Sequence, residues 1–473
     1  MRPRGAKLVC TLGPASGTAD GVRALAVAGC GVFRVNLSHG DAETHGRLIR
    51  MVRAVSEELG RDLAVIADLP GPKIRLGELS VEPLQISSGV RFVLRAGGGP
   101  GDAQGAAITY PGLANDVRPG DRVLLADGAV ELVVREVAGG DVVTECARAG
   151  SVRSRAGVNV PAERLGLPAI TERDREGLAF ALDLGVDLVA QSFVRSGEDV
   201  VGLRALMGAR AVPIVAKIET RPAVDAIGDV LARADAIMVA RGDLGVELPM
   251  SEIPILQKAI LREARACGKP AIVATQMLES MIRAPRPTRA EASDVANAVL
   301  DGADAIMLSG ETAVGEFPVE AAEAAERIAG MAEEHGASFR VADAPCAHTD
   351  EASAVVHAAA RIAADDPAVV AIACYTATGR TAGLFSTERP GVPIYAFVPE
   401  PRIRRALAIR WGVTALPVGI PADTDGMIAL MEEGLRAAGV ARPGQSVVMT
   451  ASSPAGKFTT NMLKVHHVGE TAR

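Results

Sequence analysis

The stretch that decides the fold runs from Val215 to Glu247 and reads VAKIETRPAVDAIGDVLARADAIMVARGDLGVE. Its pattern predicts a strand, a helix and a second strand, with the strands over residues 213–219 and 236–240. The first strand is apolar up to Lys217 and Glu219 at its C-terminal end, and the second strand is followed by an Arg-Gly-Asp sequence. Polar residues confined to strand ends are typical of a buried parallel sheet with an active site at its rim.

The charged residues at these strand ends suit a metal ion and a phosphate group. Lys217 and Glu219 are two residues apart, so on a strand they point to the same face, and Asp243 follows the next strand. Two carboxylates with room for water and substrate oxygens suit Mg²⁺ or Mn²⁺. Gly242, just before a helix expected from Leu244, would let backbone N–H groups approach an anion. A structural ion pair of Lys217 with Glu219 is the alternative interpretation.

Composition restricts the class of protein. A chain of 473 residues suggests about three domains, and 48% hydrophobic residues supply a core. The net charge of −7 with only 3% aromatic residues argues against a nucleic-acid-binding surface. Six scattered cysteines without a CxxC pair indicate reduced thiols. Because we find no signal-peptide pattern and no run near the roughly 18 apolar residues of a membrane span, we expect a cytoplasmic protein without membrane contacts.

Eight short apolar strands recur at the spacing of βα units. They cover residues 7–12, 32–37, 63–69, 186–193, 213–219, 236–240, 271–277 and 305–309. With helical patterns between most of them, they predict a (β/α)8 TIM barrel, an α/β fold whose active site lies at the C-terminal ends of the strands. A doubly wound open sheet is the alternative, since a strand count cannot show closure.

Two segments depart from this pattern. Between the third and fourth strands, short β-like runs and glycine-rich turns predict a small inserted β-barrel domain with proline–glycine hinges, which would act as a lid. After Met331 the pattern predicts a separate α/β domain. The predicted division is therefore 1–70 for the first part of the barrel, 71–163 for the lid, 164–338 for the second part of the barrel, and 339–473 for a C-terminal effector-binding domain.

One strand-to-helix turn of the C-terminal domain is suited to a phosphate group. Hydroxyl groups, a glycine and an arginine at such a turn can bind a phosphate. An ordinary helix N-cap with turn residues is the alternative. The residues concerned are Thr376, Thr378, Gly379, Arg380 and Thr381.

Taken in order, the motifs of the chain closely resemble those of the pyruvate kinase family. They are TLGP at 11–14, RVNLSHG at 34–40, GPKIR at 71–75, KIE at 217–219, ARGDLG at 240–245, ATQMLESM at 274–281, PTRAE at 287–291 and LSGET at 308–312. The barrel part is covered almost without gaps, and the other two domains match in layout more than in sequence. A single KIE would be weak evidence, whereas this series of motifs is specific.

The resemblance implies phosphoryl transfer from phosphoenolpyruvate to ADP, the last step of glycolysis, in a homotetramer regulated by a phosphorylated effector. Glu219 and Asp243 would hold the divalent metal, and Lys217 would stabilise charge on the phosphoryl group in flight. Backbone N–H groups near Gly242 and Asp243 would bind the substrate carboxylate. Thr275 would bind substrate and help a water protonate the enolpyruvate, with a helix N-cap as the alternative for this residue.

The resemblance also assigns the phosphate and nucleotide contacts. Arg34 and Arg75 would contact phosphate. The nucleotide would meet Asn36, His39 and Arg75. A lysine that many relatives place before Gly157 is replaced here by Ala156, with Arg153 and Arg155 nearby, and which arginine substitutes for it is open. A water chain through Ser309 and Glu311 would carry the proton.

A monovalent-cation site of the family maps onto Asn36, Ser38, Asp68 and the carbonyl of Leu69. Members that need potassium typically carry a glutamate where this chain has Lys73, and members that do not need it carry lysine. An ammonium group can supply the single charge of a bound monovalent cation. We therefore expect no requirement for K⁺, with a solvated surface lysine as the alternative.

Two other functions compete with this interpretation. A metal-dependent aldolase, or another barrel that handles phosphoenolpyruvate, would also place acidic residues after its strands, but such chains generally lack the inserted domain. A non-enzymatic sensor of sugar phosphates could use the C-terminal domain alone. It would not need Lys217, Glu219, Asp243 and Thr275 together.

Overall fold

The computed structural model describes residues 5–160, 165–336, 350–452 and 459–470. The strands, in chain order, are β1 (Lys7–Thr11), β2 (Val32–Asn36), β3 (Ala64–Leu69), β4 (Leu84–Ile86), β5 (Arg91–Arg95), β6 (Gly105–Ala107), β7 (Arg122–Leu125), β8 (Val130–Ala138), β9 (Asp141–Arg148), β10 (Gly150–Val152), β11 (Val158–Asn159), β12 (Leu188–Gln191), β13 (Ile214–Ile218), β14 (Ala236–Ala240), β15 (Ala271–Ala274), β16 (Ala305–Leu308), β17 (Val369–Tyr375), β18 (Ile394–Val398), β19 (Val413–Pro417), β20 (Ser446–Ala451) and β21 (Met462–His467).

The helices complete the order of elements. They are α1 (Ala19–Val27), α2 (Ala42–Leu59), α3 (Leu113–Asp116), α4 (Glu172–Asp183), α5 (Gly197–Met207), α6 (Arg221–Asp225), α7 (Ile227–Arg233), α8 (Arg241–Glu247), α9 (Ile253–Ala266), α10 (Arg289–Leu300), α11 (Gly310–Ala313), α12 (Pro318–His335), α13 (Glu351–Asp365), α14 (Arg380–Glu388), α15 (Pro401–Ala406) and α16 (Thr424–Ala437). Within the described ranges, no helix combines the length and the apolar character needed to cross a membrane.

Eight strands close a parallel barrel in the order β1-β16-β15-β14-β13-β12-β3-β2. All residues of β13 and β14 are buried, because helices cover the outside of the sheet while side chains fill its interior. The interior side chains include Val9, Ile66, Val215, Met238 and Ile272. The predicted TIM barrel is confirmed, and the alternative of an open sheet is wrong.

The ends of three barrel elements differ from the sequence prediction. Helix α8 begins at Arg241 rather than at Leu244, because β14 passes into it without a connecting loop. Strand β12 ends at Gln191, just before Phe193, whose φ is +53°. Strand β15 ends at Ala274, before Thr275 and Gln276, which also have positive φ. A left-handed backbone cannot continue an extended strand, so these strands stop early and their last residues turn into the barrel mouth.

The inserted segment forms a six-stranded sheet in the order β11-β7-β8-β9-β5-β6 and a two-stranded sheet of β10 and β4. It has a hydrophobic core of its own, which contains Phe92, Leu94 and Leu132. The two chain ends of the insertion pair with each other, since the backbone N–H of Leu76 donates to the carbonyl of Ala156 at 2.9 Å. This pairing holds the start and the end of the insertion together where it joins the barrel.

The C-terminal residues form a five-stranded sheet in the order β19-β18-β17-β20-β21. Only β21 pairs antiparallel among these strands. Ion pairs join this domain to the barrel: Arg389 Nη2 lies 3.1 Å from Asp304 Oδ1, Arg404 Nε lies 2.6 Å from Asp62 Oδ2, and Arg405 Nε lies 2.6 Å from Asp187 Oδ1. Asp187 is buried, so the pair that it forms with Arg405 lies within the interface.

Candidate active site

The ammonium group of Lys217 lies at the centre of the barrel mouth. It donates to Ser192 Oγ at 2.7 Å and lies 2.8 Å from Glu219 Oε1 and 3.4 Å from Asp68 Oδ1. The side chain is 10% exposed. Burial lowers the pKa of Lys217, but attraction to Asp68 and Glu219 outweighs it, so the pKa lies above its ordinary value. The site therefore holds a permanently charged cation away from bulk water.

Asp68 on β3 joins this cation to a second one. Arg34 Nε, from β2, lies 2.6 Å from Asp68 Oδ2, and Arg34 Nη1 donates to Thr11 Oγ1 at 3.2 Å. Burial raises the pKa of Asp68, but the positive charges of Lys217 and Arg34 lower it by a larger amount. The pKa of Asp68 therefore lies below its ordinary value. An ionised carboxylate between two cations holds both in place, although Lys217 lies on β13 and Arg34 on β2. The sequence analysis assigned Asp68 only to a monovalent-cation site.

Glu219 and Asp243 supply the carboxylates of a candidate metal site. Glu219 is 1% exposed, and its Oε2 accepts a hydrogen bond from the backbone N–H of Phe193 at 2.8 Å. Burial raises the pKa of Glu219, whereas the positive charge of Lys217 lowers it. The negative charge of Asp243 raises the pKa again, and the result lies above the ordinary value. A divalent cation between the two carboxylates would relieve this repulsion. The donor set therefore fits a hard divalent ion.

The candidate metal site rests on two carboxylates, Glu219 and Asp243. No group of three or more His, Cys, Asp or Glu side chains suited to a metal is present among the described residues. A metal held by Glu219 and Asp243 would need water and substrate oxygens to complete its shell, as Mg²⁺ commonly does. This leaves coordination positions for a phosphorylated substrate.

Lys73 lies between the barrel mouth and the lid. Its Nζ lies 3.8 Å from Asp243 Oδ1, and both side chains are partly exposed. Gly157 of the lid is close to it, since a Cβ at this glycine would lie 3.3 Å from Lys73 Cε. At the predicted monovalent-cation site, the carbonyl of Leu69 accepts a hydrogen bond from Ser192 Oγ at 2.7 Å. The ammonium of Lys73 thus faces a carboxylate of the candidate metal site.

Thr275 meets the beginning of α8. Its Oγ1 accepts a hydrogen bond from the backbone N–H of Gly242 at 2.7 Å and donates to the carbonyl of Ala274 at 2.6 Å. No described helix begins at Thr275, so the alternative of a helix N-cap is wrong. The N–H of Gly242, which the sequence analysis assigned to the substrate carboxylate, is engaged by Thr275 in this arrangement.

A cavity of about 330 Å³ lies beside the hinge between barrel and lid. Its lining includes Ser38, Lys73, Arg75, Tyr110 and Arg173. Burial lowers the pKa of His39, and the charges of Arg75, Lys73 and Arg34 lower it further, so the ring is neutral near pH 7. The cavity is lined by cationic groups and has the size of a small-molecule site.

Arg75 reaches the lid from the hinge. Its Nη1 donates to the carbonyl of Arg155 at 3.1 Å. Arg155 itself has a positive φ and forms an ion pair with Glu78, with 2.8 Å between Nε and Oε1. The guanidinium of Arg155 is thus paired within the lid and not placed at the barrel mouth.

The predicted phosphate-binding turn of the C-terminal domain opens into a cavity of about 470 Å³. Gly379 has a φ of +82° and is the N-cap residue of α14, and its N–H donates to Thr376 Oγ1 at 3.0 Å. Thr381 Oγ1 lies 2.6 Å from Thr460 Oγ1, and Arg380 pairs with Asp350. Thr376, Thr378, Arg380 and Thr381 all line the cavity.

Three residues of the site had no predicted role. Ser192 and Phe193 follow β12, where a polar residue after a buried strand is the same signal that identified Lys217. Arg241 lies inside a recognised motif, and its long side chain turns to the loop after β15. Its contacts cannot be inferred from spacing along the chain, because they join separate strands.

The whole chain is similar to known proteins. The family model described as pyruvate kinase, barrel domain, matches residues 3–322, and the model described as pyruvate kinase, alpha/beta domain, matches residues 353–466. The chain is 44% identical to a pyruvate kinase of Mycobacterium tuberculosis strain H37Rv, covering 99% of each chain. It is 40% identical to a pyruvate kinase of Geobacillus stearothermophilus, covering 99% of this chain and 81% of the relative.

A solved structure agrees with these matches. A crystal structure described as a pyruvate kinase from Cryptosporidium parvum superimposes with a TM-score of 0.90 at 30% sequence identity. It covers 98% of this chain, and 96% of that chain is matched. The similarity therefore extends over barrel, lid and C-terminal domain together.

Proposed function

The chain belongs to the pyruvate kinase family, and from this premise we propose how its own residues transfer a phosphoryl group from phosphoenolpyruvate to ADP. In the reaction the bond between phosphorus and the enol oxygen breaks, and a bond from phosphorus to a β-phosphate oxygen of ADP forms. The enolate left behind takes a proton on its methylene carbon and becomes pyruvate. The observation that carries the proposal is the buried, charged Lys217 beside the carboxylates of Asp68 and Glu219, which lie at the C-terminal ends of two barrel strands.

Lys217 and Arg34 stabilise the phosphoryl group in flight. The group moves between two anions, and its charge is spread over its oxygens in the transition state. Lys217 and Arg34 are oriented in advance by Asp68, so little reorganisation is needed when this charge develops. A fixed ammonium in a site with little water acts more strongly than one in bulk solvent.

Glu219 and Asp243 bind a divalent metal, Mg²⁺ or Mn²⁺, beside this cation. When bound, the metal supplies Lewis-acid stabilisation of phosphoryl and substrate oxygens. The residues of the chain hold it through two carboxylates of unlike exposure: Glu219 is buried and Asp243 is 27% exposed. The hydrogen bond from the N–H of Phe193 orients Glu219 for this role.

The substrate carboxylate binds at the start of α8. The backbone N–H groups of Gly242 and Asp243 lie in the first turn of this helix, where amide N–H groups have no partner within the helix. When the substrate carboxylate accepts the hydrogen bond from the N–H of Gly242, the hydroxyl of Thr275 no longer accepts it. A hydroxyl is too weak an acid to deliver a proton unaided, so Thr275 acts with a water chain through Ser309 and Glu311.

ADP occupies the cavity at the hinge, with its phosphates against Arg75 and the loop that carries Asn36 and His39. The neutral ring of His39 suits a hydrogen bond more than a charge contact. Lys73 supplies a permanent positive charge beside Asp243, where potassium-dependent relatives recruit an ion, so the enzyme needs no K⁺.

A phosphorylated effector binds the C-terminal turn of Thr376, Thr378, Gly379, Arg380 and Thr381, and the active form is a homotetramer. The cavity at this turn is lined by hydroxyl groups and a guanidinium, which suit phosphate oxygens. Light scattering of the purified protein, with and without a sugar phosphate, measures its molar mass and so the number of subunits.

A spectrophotometric assay tests the proposed reaction. Phosphoenolpyruvate, ADP and Mg²⁺ are mixed with the enzyme, and pyruvate is measured by its reduction in a coupled step. We expect pyruvate and ATP in equal amounts, with no turnover when ADP is omitted. If the chain cleaved phosphoenolpyruvate without ADP, or condensed it with an aldehyde, it would be a different kind of barrel enzyme.

A further inference from the structure

Arg241 connects the beginning of α8 to α10 and to the loop that follows β15 through a nearly buried guanidinium group. It is the first residue of α8, and its side chain is 12% exposed. One end of the guanidinium, Nη1, lies 2.8 Å from Asp294 Oδ1 on α10. The other end, Nη2, donates to the carbonyl of Thr275 at 2.7 Å, with the carbonyl of Gln276 at 3.5 Å. Asp294 therefore holds the guanidinium against the loop that follows β15.

This loop has an unfavourable backbone conformation that needs support. Thr275 has a φ of +70° and Gln276 has a φ of +54°. A positive φ is a clear outlier for a β-branched residue such as threonine. Such conformations persist only where the surrounding structure determines them, and they are concentrated at functional sites. Arg241 provides this support because its hydrogen bond holds the carbonyl of the strained residue.

The hydroxyl of Thr275 is held by the residue next to Arg241. The N–H of Gly242 donates to Thr275 Oγ1, and the guanidinium of Arg241 binds the carbonyl of the same threonine. Once the substrate accepts the hydrogen bond from the N–H of Gly242, the hydroxyl of Thr275 loses that partner. The hydrogen bond from Arg241 to the carbonyl of Thr275 remains. The position of the hydroxyl then depends on its own hydrogen bond to the carbonyl of Ala274 and on the backbone of Thr275, which Arg241 holds.

We propose that Arg241 is a positioning residue for the proton-transfer half of the reaction, holding Thr275 in its left-handed conformation from a guanidinium anchored on Asp294. The inference rests on the role of Thr275 given under the proposed function. A planar guanidinium can bind a carboxylate and a carbonyl at once, whereas an ammonium acts as a point charge. Lysine at this position would therefore keep the charge and lose one of the two contacts.

The test separates proton transfer from phosphoryl transfer. The full-length enzyme with Mg²⁺ and inorganic phosphate is given pyruvate in D₂O, and exchange of the methyl protons is followed by NMR. We expect Arg241→Lys to slow this exchange and kcat by the same factor, about 100-fold, the effect of a misplacement near 1 Å. The KM for ADP should stay unchanged, because Arg241 does not line the cavity at the hinge.

Two further variants show whether the effect passes through Thr275. Thr275→Val keeps the β-branched shape and removes the hydroxyl. If Arg241 acts through this hydroxyl, the double variant should exchange protons no more slowly than Thr275→Val alone, since coupled residues are not additive. If Arg241→Lys does not fold, Asp294→Asn loosens the anchor while the guanidinium remains, and the same comparison applies.

Arg204 offers a matched control. Its Nη2 also bridges a carboxylate and a carbonyl, Asp235 Oδ2 at 2.8 Å and the carbonyl of Arg233 at 2.9 Å. Asp235 precedes β14, so this pair lies at the opposite end of the barrel. Arg204→Lys should lower the melting temperature and leave proton exchange unchanged.

The outcomes distinguish the two hypotheses. Slow exchange in Thr275→Val with normal exchange in Arg241→Lys would overturn the inference alone. Normal exchange and kcat in Thr275→Val would overturn the role of Thr275, and the inference with it. A purely additive double variant would make Arg241 an independent contributor and would also overturn the inference.

Discussion

Charge reversal at Lys73 gives the sharpest test of how the site obtains its positive charge. Lys73 Nζ lies 3.8 Å from Asp243 Oδ1. Even with the full screening of water, two unit charges at this separation attract by about 1 kcal/mol. A glutamate at position 73 would replace this attraction by a repulsion of similar size, a change of about 2 kcal/mol. This corresponds to roughly 30-fold in a rate or binding constant.

The assay compares kcat/KM for phosphoenolpyruvate with and without K⁺. The ion is replaced by a large organic cation at matched ionic strength, so that general screening is not mistaken for occupancy of a site. We expect near-full activity of the native enzyme without K⁺. Lys73→Glu should lose roughly 30-fold in the absence of K⁺ and should recover when K⁺ is added, because the mobile ion then supplies the missing charge.

Two control variants separate the site from general effects of charge. Lys73→Met removes the ammonium without adding a carboxylate. Lys258→Glu reverses the charge of a lysine that pairs with Asp301, away from the strand ends of the mouth. It should leave the response to K⁺ unchanged. A native enzyme that is almost inactive until K⁺ is added would refute the reasoning and leave Lys73 as a surface lysine.

Three further substitutions test the other assignments. Asp243→Asn should weaken Mg²⁺ binding and turnover together, because one of two carboxylates loses its charge; an unchanged midpoint and rate in a Mg²⁺ titration would remove Asp243 from the metal site. Lys217→Met should lower kcat by about 10³-fold, the scale of losing one preorganised electrostatic contact, with a smaller effect on KM; a large rise in KM at constant kcat would make Lys217 a ground-state binder. Thr378→Glu should abolish activation by a sugar phosphate and spare basal turnover, because it adds negative charge to the effector cavity; undiminished effector binding by calorimetry would place the effector elsewhere.

The sequence by itself determined the eight parallel strands and the charged residues at their ends, while closure of the strands into a barrel was decided by the tertiary structure. Buried parallel strands are apolar throughout, so each barrel strand appears as a short run of hydrophobic residues, and the eighth run completes the count. The spacing of Lys217 and Glu219 places them on one face, because side chains alternate along a strand. These are local properties, which depend on residues close in the chain and can therefore be read without the fold.

Only the tertiary structure decided which groups meet across the mouth. Ser192 and Leu69 are 123 residues apart, and Gly242 and Thr275 are 33 apart, yet each pair forms a hydrogen bond. The role of Asp68 as the carboxylate between Lys217 and Arg34 depends on the order of strands in the barrel, which brings the ends of β2, β3 and β13 together. The left-handed turn at Thr275 is unfavourable for its own residue type, so no local preference could predict it. It exists because packing and hydrogen bonds from distant residues outweigh the intrinsic preference of the backbone.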